Sequence, residues 1–489
     1  MTPFLTLRPV VAAAMAALAL SACNLAPKLA QPALPVADTV QPQAGVPAVA
    51  ADAALSVAQA QTWIHSAQLR EVVALALSHN RDLRVAVDNM EKARAQYGIT
   101  RADLLPSVAA QGQGTRSRSS ADLSSNGQST VSEQFTAQLG FTSYEIDFWG
   151  RIRNLNEAGW QAFLQSEDNQ RNVQIGLVAD VSNAWLTLAA DLARLQLAQD
   201  TLASREKAYA LTERMLEIGS TSGLVLAQNR STVETARADV AAYKAQVARD
   251  RNALQLLVGG VVDTRWLPTA QTLAAAGDAQ QLALLPVPQD LPSSVLLQRP
   301  DVQAAEHNLR AMNANIGVAR AAMFPSITLT GSVGSGSREL NGLFDDGNST
   351  WSFMPQIKLP IFSGGRLRAG VEVAMANERI ALSQYEKAVQ TAFKEVADVL
   401  ADRAEWNNRL GAQQAMVSAM QKAFDLSQAR FQAGVDNYLT VLDAQRSLYA
   451  AQQTWIGLRL AEQTNRVTLW KTLGGQEVAA STVAETEKN

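Results

Sequence analysis

Several residue types and patterns are scarce in this chain of 489 residues, and each scarcity excludes a class of protein. The single cysteine, Cys23, rules out a disulfide within the chain. The 42 basic and 45 acidic residues leave a net charge of −3, which argues against nucleic-acid binding or a polybasic membrane surface. No run of about 18 uncharged apolar residues follows the N-terminal segment, so we predict no transmembrane helix. A membrane-crossing part would have to be a closed barrel.

Groups that carry enzyme chemistry are also scarce. The three histidines, His65, His79 and His307, lie in helix-like segments without the spacing of metal ligands, and we interpret them as structural or solvated. The chain has no P-loop, no G-x-S-x-G motif and no cysteine pair. We therefore expect a protein that is not an enzyme and that holds no cofactor or metal.

The N-terminal segment has the features of an export signal. Residues 1–22 contain a weakly positive end, an apolar stretch and then small side chains. The stretch Leu20-Ser21-Ala22-Cys23 resembles the lipobox of bacterial lipoproteins, in which the signal is removed and the cysteine sulfur receives a diacylglycerol. The alternative is a secreted protein with a chance cysteine near its cleavage site. We expect a lipidated Cys23, and the Asn24 that follows implies transfer to the outer membrane.

Most of the remaining chain repeats one pattern twice. The stretch GRIR (150–153) returns as GRLR (365–368), and GSTSGLVLAQNRS (219–231) returns as GVDNYLTVLDAQRS (434–447). Positions 150 and 365 are 215 residues apart, and so are positions 219 and 434. Chance similarity between helical segments would not keep that spacing. The sequence therefore predicts an internal duplication.

Each copy contains one predicted strand hairpin, at about 106–147 and about 324–361. Alternation such as Ser326-Ile327-Thr328-Leu329-Thr330 favours strands with one apolar face. Four strands are too few to close a barrel, so a membrane barrel would need several chains. Three chains would supply twelve strands.

Each strand hairpin precedes a long helical hairpin, at 151–259 and 366–474. Apolar residues recur every seven positions, as in Val181, Leu188, Leu195 and Leu202, and this period indicates supercoiling against partner helices. An ordinary helical bundle would also need an apolar seam. A helix running from Arg151 to Ile218 would span about 100 Å, however, so we favour an elongated coiled coil.

The interruptions inside the two long helical regions read as tight turns. Gly219 and Gly434 suit the left-handed residue that ends a helix. Ser222 and Asn437, three residues later, suit the N-cap of the next helix. Each copy should therefore carry one helical tip.

These features together resemble the TolC-like outer-membrane efflux channels, of the OprM-type lipoprotein branch, over about residues 63–475. Further stretches that carry the resemblance are ALALSHNRDLRVAV (74–87), RADLLPSV (101–108) and LLQRPDVQAAEHNL (296–309). The resemblance implies an α+β homotrimer in which twelve strands form an outer-membrane barrel and twelve helices form a periplasmic tunnel. It also implies two protein partners, a periplasmic adaptor and an inner-membrane pump of the resistance-nodulation-division (RND) type.

The expected organisation follows from the duplication and the resemblance. A signal peptide (1–22) precedes the lipidated cysteine and an Ala/Pro-rich tether (23–62). The first repeat (63–259) and the second repeat (293–474) are separated by a linker (260–292). By the resemblance, this linker and the tail (475–489) form an equatorial collar around the tunnel.

The candidate functional residues lie at the second tip. Leu439 and Asp443 share a helix face, and Arg446 follows three residues later. In a trimer each would become a ring of three, and the resemblance implies that such rings close the periplasmic gate. The alternative is an exposed ion pair between Asp443 and Arg446 that contributes little. In the first copy Leu224 matches Leu439, but Gln228 replaces the aspartate.

The turns themselves are the expected contact surface of the adaptor. Their alternative role is purely conformational, because a glycine and a cap are needed there in any case. The residues concerned are Gly219, Ser220, Thr221 and Ser222 in the first tip and Gly434, Val435, Asp436 and Asn437 in the second.

We expect a passive outer-membrane channel of a tripartite efflux pump that carries small amphiphilic compounds to the exterior. One alternative is the outlet of a type I secretion system. Another is a structural coiled-coil lipoprotein without a pore, which the amphipathic strand hairpins disfavour.

Overall fold

The computed structural model describes residues 24–29, 34–40, 55–56, 63–123, 127–273, 282, 291–475 and 477–478. The expected signal peptide and Cys23 lie outside these residues, as do much of the tether, linker and tail.

Seven α-helices are present in the described residues, and four of them are long. The long helices are rich in alanine and glutamine, have no interior proline, and end beside glycine or a capping residue. The helices are α1 (Ala67–His79), α2 (Arg81–Ala102), α3 (Arg151–Glu217), α4 (Gly223–Val258), α5 (Pro300–Ala321), α6 (Arg366–Gln432) and α7 (Tyr438–Thr472).

The strands of the described residues form one four-stranded sheet and two short pairs. They are β1 (Thr39–Val40), β2 (Leu55–Ser56), β3 (Val108–Ser119), β4 (Thr130–Ile146), β5 (Leu291–Pro292), β6 (Ser326–Ser337), β7 (Ser349–Lys358) and β8 (Glu477–Val478). The large sheet has the order β3-β4-β6-β7 and is antiparallel throughout. The short pairs are β1 with β5 and β2 with β8.

The large sheet has one apolar and one polar face, as alternating strands require. Val108, Phe141 and Gly331 form one row across three strands on the apolar face, and Gln111, Gln138 and Gly334 form a row on the polar face. The register shifts between Phe141 and Tyr144, where Ser143 has a φ of 54°. This bulge moves the residues after it to the opposite face.

The chain divides into two compact units. The first comprises Met1–Ala33, Asn89–Glu167 and Ala304–Tyr385 and contains the large sheet. The second comprises Leu34–Asp88, Asp168–Gln303 and Glu386–Asn489 and contains both helical turns and the short strand pairs.

The seven-residue apolar seam is confirmed in the second unit, although its burial is graded. Val181 and Leu188 of α3 and Val396 of α6 are fully buried, and Trp63 stacks on Trp470 with 4.8 Å between ring centroids. Leu195, Leu202 and Tyr209, closer to the first turn, are only half-buried. Each fully buried large apolar side chain stabilises the fold by about 1.5–3 kcal/mol.

The helix α3 meets the length and composition expected of a membrane span. It contains an 18-residue window with a mean hydropathy of 1.2 and at most two charged residues. However, 56% of that window is buried within the chain, and a buried core helix passes the same test. The burial favours a core helix.

Candidate gate at the helical tips

The first helical turn has the conformation that its sequence predicts. Gly219 adopts a φ of 75°, and the backbone N–H of Ser220 donates to the carbonyl of Met215 at 2.8 Å, which closes the end of α3. Ser222 is the N-cap of α4, and its hydroxyl accepts a hydrogen bond from the backbone N–H of Val225. Both predicted end residues of the turn are confirmed.

The second turn repeats this arrangement. Gly434 adopts a φ of 72°, and the N–H of Val435 donates to the carbonyl of Arg430 at 2.9 Å. Asn437 is the N-cap of α7, and its side-chain oxygen accepts from the N–H of Thr440 at 3.3 Å. The predicted left-handed glycine and cap are confirmed here as well.

An ion pair that the sequence analysis missed spans the second turn. The Nε and Nη2 atoms of Arg430 donate to the two carboxylate oxygens of Asp436 at 2.6 and 3.0 Å. The bidentate contact lowers the pKa of Asp436. At the same offset of 215, the first turn has Met215 and Thr221 in these places and cannot form the pair.

The candidate gate residues lie on the exposed face of α7, immediately after the turn. Leu439 is 45% exposed, and the side chains of Asp443 and Arg446 are 77% and 60% exposed. The Nη1 atom of Arg446 lies 3.7 Å from an oxygen of Asp443, a loose contact that is worth well under about 1 kcal/mol in water. Within one chain, therefore, these side chains gain little by facing one another.

The first tip resembles the second at the leucine but differs at the position of Asp443. Leu224 is 68% exposed, like its counterpart Leu439. Gln228 is half-buried, and its Oε1 atom is buried without a hydrogen-bond partner. The first copy thus places an amide where the second places an exposed carboxylate.

The opposite face of α7 packs into a small apolar cluster that joins the two helical hairpins. Tyr438, Val441 and Leu442 are buried in it. The half-buried residues that pack against them are Ala208, Val225, Phe424 and Phe431. Phe431 and Tyr438 meet edge to face with 5.0 Å between their centroids. Only the tertiary structure brings α3 and α4 into this cluster, because Ala208 and Val225 are far from α7 in the sequence.

Polar contacts continue this junction between α4 and α7. The Tyr449 hydroxyl donates to Asp239 at 3.3 Å, and one turn further the Tyr243 hydroxyl donates to Gln453 at 2.7 Å. Burial, reinforced by Asp239, raises the pKa of Tyr449 to about 12. Arg205 of α3 is buried against the Tyr449 ring, and burial lowers its pKa. No sequence motif predicted this cluster, because its members are joined only across helices.

A second buried polar cluster joins α3 and α4 further from the tips. Asp191 and Asp250 are both buried, Arg194 donates to Asp191 at 2.6 Å, and Gln246 donates to Asp250 at 2.8 Å. Burial comes first, and a hydrogen bond that protonated Asp250 donates to the Asp191 carboxylate follows; together they raise the pKa of Asp250 to about 6. The neighbouring carboxyl groups therefore resist simultaneous ionisation.

The histidines show no metal-site geometry. His307 shares a hydrogen bond of 2.6 Å with Gln161, and burial lowers its pKa. The Nδ1 atom of His79 lies 2.7 Å from the hydroxyl of Ser78. Across the described residues, no group of three or more His, Cys, Asp or Glu side chains is arranged to hold a metal ion.

Comparison with known proteins assigns the family. Residues 72–260 and 291–475 match the family described as outer membrane efflux protein. The two matched segments cover most of the chain and coincide closely with the two copies of the duplication. The chain belongs to the outer membrane efflux protein family.

Two relatives from Pseudomonas putida have descriptive names. The antibiotic efflux pump outer membrane protein ArpC is 44% identical over 463 residues, which cover 94% of each chain. The toluene efflux pump outer membrane protein TtgC is 44% identical over 463 residues, again 94% of each chain. The crystal structure of the open state of the Neisseria gonorrhoeae MtrE outer membrane channel matches with a TM-score of 0.83 and 35% identity, covering 94% of this chain and all of that one.

The predicted fold class is confirmed as α+β, in the class of trimeric TolC-like channels with four long strands per protomer. The predicted function and location are confirmed too. The protein is an outer-membrane channel component of an efflux pump, and it resides in the outer membrane. Its relatives are channel proteins and not enzymes.

Proposed function

We propose that three copies of this chain form a passive duct that is closed at the second helical tip by Leu439, Asp443 and Arg446. The main support is that α7 has one buried and one exposed face directly after the turn. Tyr438, Val441 and Leu442 are buried within the chain, whereas the candidate gate residues are exposed. An exposed leucine beside a weakly paired carboxylate and guanidinium is expected where symmetry brings identical side chains together.

Two features of the large sheet support the trimer. Its edge strands, β3 and β7, each have one side that is not hydrogen-bonded within the described chain. Large apolar side chains such as Trp351, Phe353 and Ile357 are exposed on β7. Pairing of β3 with β7 of a neighbouring copy would remove both edges, and three copies would close a twelve-stranded barrel. Its apolar face would meet the outer-membrane lipid.

We propose that the two turns are the contact surface of a periplasmic adaptor, which joins the duct to an RND-type inner-membrane pump. The turns Gly219–Ser222 and Gly434–Asn437 lie between long helices, and most of their residues are exposed. The ion pair between Arg430 and Asp436 distinguishes the second turn chemically from the first. The adaptor would therefore meet two surfaces that share a backbone shape and differ in charge.

The cargo is proposed to be small amphiphilic compounds. ArpC and TtgC are named for antibiotic and toluene efflux, respectively. The polar face of the sheet carries mainly amide and hydroxyl groups, which would let solutes pass without binding them strongly. The duct would be passive and without catalytic activity of its own, because selection and energy would come from the pump. The efflux relatives disfavour both a type I secretion outlet and a structural tether.

We also propose that Cys23 is lipidated and that residues 23–62, 260–292 and 475–489 contribute to an equatorial collar between repeats 63–259 and 293–474. The strand pairs β1–β5 and β2–β8 support the collar, because they join the tether to the linker and to the tail. Mass spectrometry of the mature N-terminal peptide tests the lipid. We expect a chain that starts at Cys23 and carries acyl groups, and an unmodified peptide would contradict the proposal.

The gate is tested by replacing Asp443 and Arg446 together with alanine. Removing the charged rings should raise the conductance of the purified protein in planar lipid bilayers, and cells should become sensitive to large antibiotics through a leaky outer membrane. A matched control replaces Glu234 and Arg237 with alanine, because these residues form an exposed i,i+3 pair at 2.8 Å on α4. Unchanged conductance in the Asp443/Arg446 variant, or an equal rise in the control, would remove the gate assignment.

A further inference from the structure

The polar face of the large sheet is almost free of charge. Its rows contain residues such as Gln111, Gln138, Thr328 and Gln356. Among the residues of the four long strands, two ionisable side chains belong to this face. Glu145 lies opposite Thr328, and Lys358 lies opposite Ser326. Both lie near the end of the sheet from which the chain continues into α3 and α6.

The charge of Glu145 is neutralised by a neighbouring arginine. The Nε and Nη2 atoms of Arg151 donate to its two carboxylate oxygens at 2.7 and 2.6 Å. The next acid along the chain, Asp147, likewise accepts from Arg153, at 3.2 Å. A bidentate pair of this kind leaves little net charge for a passing ion to sense.

Lys358 has no such partner. It is exposed, and its ammonium group makes no ion pair within the described part of the chain. It lines a cavity of about 290 Å³ together with Glu145, Asp147, Arg151 and Arg366. Since Glu145 and Asp147 are already paired, the unpaired charge on this cavity is positive.

The internal duplication explains why positive charge remains. Arg366 and Arg368 of the second copy correspond to Arg151 and Arg153 of the first, 215 residues earlier. The acids Glu145 and Asp147, however, correspond to Pro360 and Phe362. The first copy thus holds its own counter-charges at the junction of strand and helix, and the second copy has no acid at the corresponding positions.

We propose that Lys358 is a charge-selectivity residue of the duct, which in the trimer forms a ring of three positive charges where the barrel meets the helices. This inference rests on the trimeric duct proposed above, whose lumen is lined by the polar face. A ring of lysines favours anions and disfavours cations. At the proposed gate the rings of Asp443 and Arg446 carry opposite charges, so the Lys358 ring is the one that gives the duct a net preference for anions, while uncharged amphiphiles pass.

The test measures ion selectivity in a variant whose gate is open. Purified protein carrying Asp443→Ala and Arg446→Ala is placed in planar bilayers, and the reversal potential is read under a potassium chloride gradient. Adding Lys358→Gln should increase the permeability of potassium relative to chloride about twofold or more near 0.1 M salt, and by less near 1 M, where screening is stronger. Lys358→Glu should shift the ratio further, and Lys358→Arg should leave it unchanged.

The matched control is Arg118→Gln, which removes one positive charge from the opposite, apolar face, where Arg118 lies across from Val131. It should not alter the reversal potential. If the gate variant itself fails to conduct, the proposed duct is wrong. If it conducts and Lys358→Gln leaves its selectivity unchanged, or if Arg118→Gln shifts the selectivity as much, the role of Lys358 is wrong and the duct stands.

Discussion

Arg430 and Asp436 illustrate how one pair of side chains can set the local stability of a tip. Asp436 has a pKa below its ordinary value of 3.8, because the Arg430 guanidinium stabilises its ionised form. A lowered carboxyl pKa contributes stability that is fully present above the unfolded-state pKa and is lost as the pH falls through the folded-state pKa. The pair should therefore support the turn at neutral pH and fail only in strong acid.

Replacing Asp436 with asparagine removes the ion pair while keeping the size of the side chain. We expect faster amide hydrogen exchange of the second turn near neutral pH, at the N–H of Val435 in particular, because that group bonds the carbonyl of Arg430. Exchange of the first turn should not change. Asp425→Asn, on α6 shortly before the turn, is the control. If Asp436→Asn leaves the amide exchange rates of the second turn unchanged, the ion pair does not stabilise that turn.

Asp250 changes stability with pH in the direction opposite to that of Asp436. Its pKa is raised to about 6 by burial and by Asp191, so its ionised form destabilises the packing of α3 against α4. Stability should increase as the pH falls from above 6 towards the unfolded-state value of 3.8, because the folded chain takes up a proton that the unfolded chain does not bind. Below that value, protonation of both states ends the gain.

Asp250→Asn should remove this pH dependence. We expect a higher midpoint of thermal unfolding at pH 8 and a smaller difference between pH 8 and pH 5 than in the unchanged protein, measured by circular dichroism in detergent. Asp180→Asn, an exposed change on α3, serves as the control. A variant that is no more stable than the parent at pH 8 would show that the buried pair is not strained there.

At the scale of elements, the helical tips depend on capping as well as on packing. Ser222 and Asn437 each accept one backbone N–H at the start of a return helix. An N-cap of this kind contributes about 1 kcal/mol. In each long hairpin, five residues separate the two helices. If the first helical turn of α7 frays, the exposed face that carries Leu439 and Asp443 is displaced.

Asn437→Ala should weaken α7 locally by about 1 kcal/mol. The change should accelerate hydrogen exchange of the amides in the first turn of α7, including that of Thr440. Asn437→Ser should restore the original exchange rates, because serine also caps a helix. Ser222→Ala should act in the same way on α4 and leave α7 unaffected. If Asn437→Ala accelerates amide exchange equally at both tips, the two hairpins do not behave as separate elements.

The long helices end and begin at the glycines and caps from which the sequence predicted the turns. Helix periodicity, end glycines and caps are local signals, so Arg151 and Asn437 could be placed from the sequence. The contacts of Tyr449 with Asp239 and of Arg205 with Tyr449 could not, because they join helices that are far apart in the chain. The sequence shows which positions of a seam are polar, but it does not show which side chains on other helices they contact.

At the scale of the whole molecule, the edge strands make the isolated chain incomplete. One chain leaves β3 and β7 without an outer neighbour among the described strands, and the β7 edge is strongly apolar. Such an edge invites pairing with another copy. The proposed closure by three copies would also bring the three copies of each candidate gate residue around one symmetry axis.

The detergent-solubilised protein should have the mass of three chains by native mass spectrometry. Cross-linking can locate the new edge, because Cys23 is the only cysteine and introduced pairs will not be confused with native ones. A cysteine at Gln113 combined with one at Thr350, Ser352 or Met354 should give covalent dimers and trimers in at least one combination. A mass of one or two chains, together with no cross-linked product, would contradict closure by three copies.

The duplication, the two hairpin types, the positions of both tips and the family could be read from the sequence, because repeats, periods and caps depend on neighbouring residues. The sequence also placed Leu439, Asp443 and Arg446 together on one helix. The folded chain was needed to show that this face is exposed, that Asp250 is buried near Asp191, and that Glu145 and Lys358 share the polar face of the sheet. The bulge at Ser143 reverses the alternation of β4, so the face of Glu145 depends on strand register and cannot be counted along the sequence.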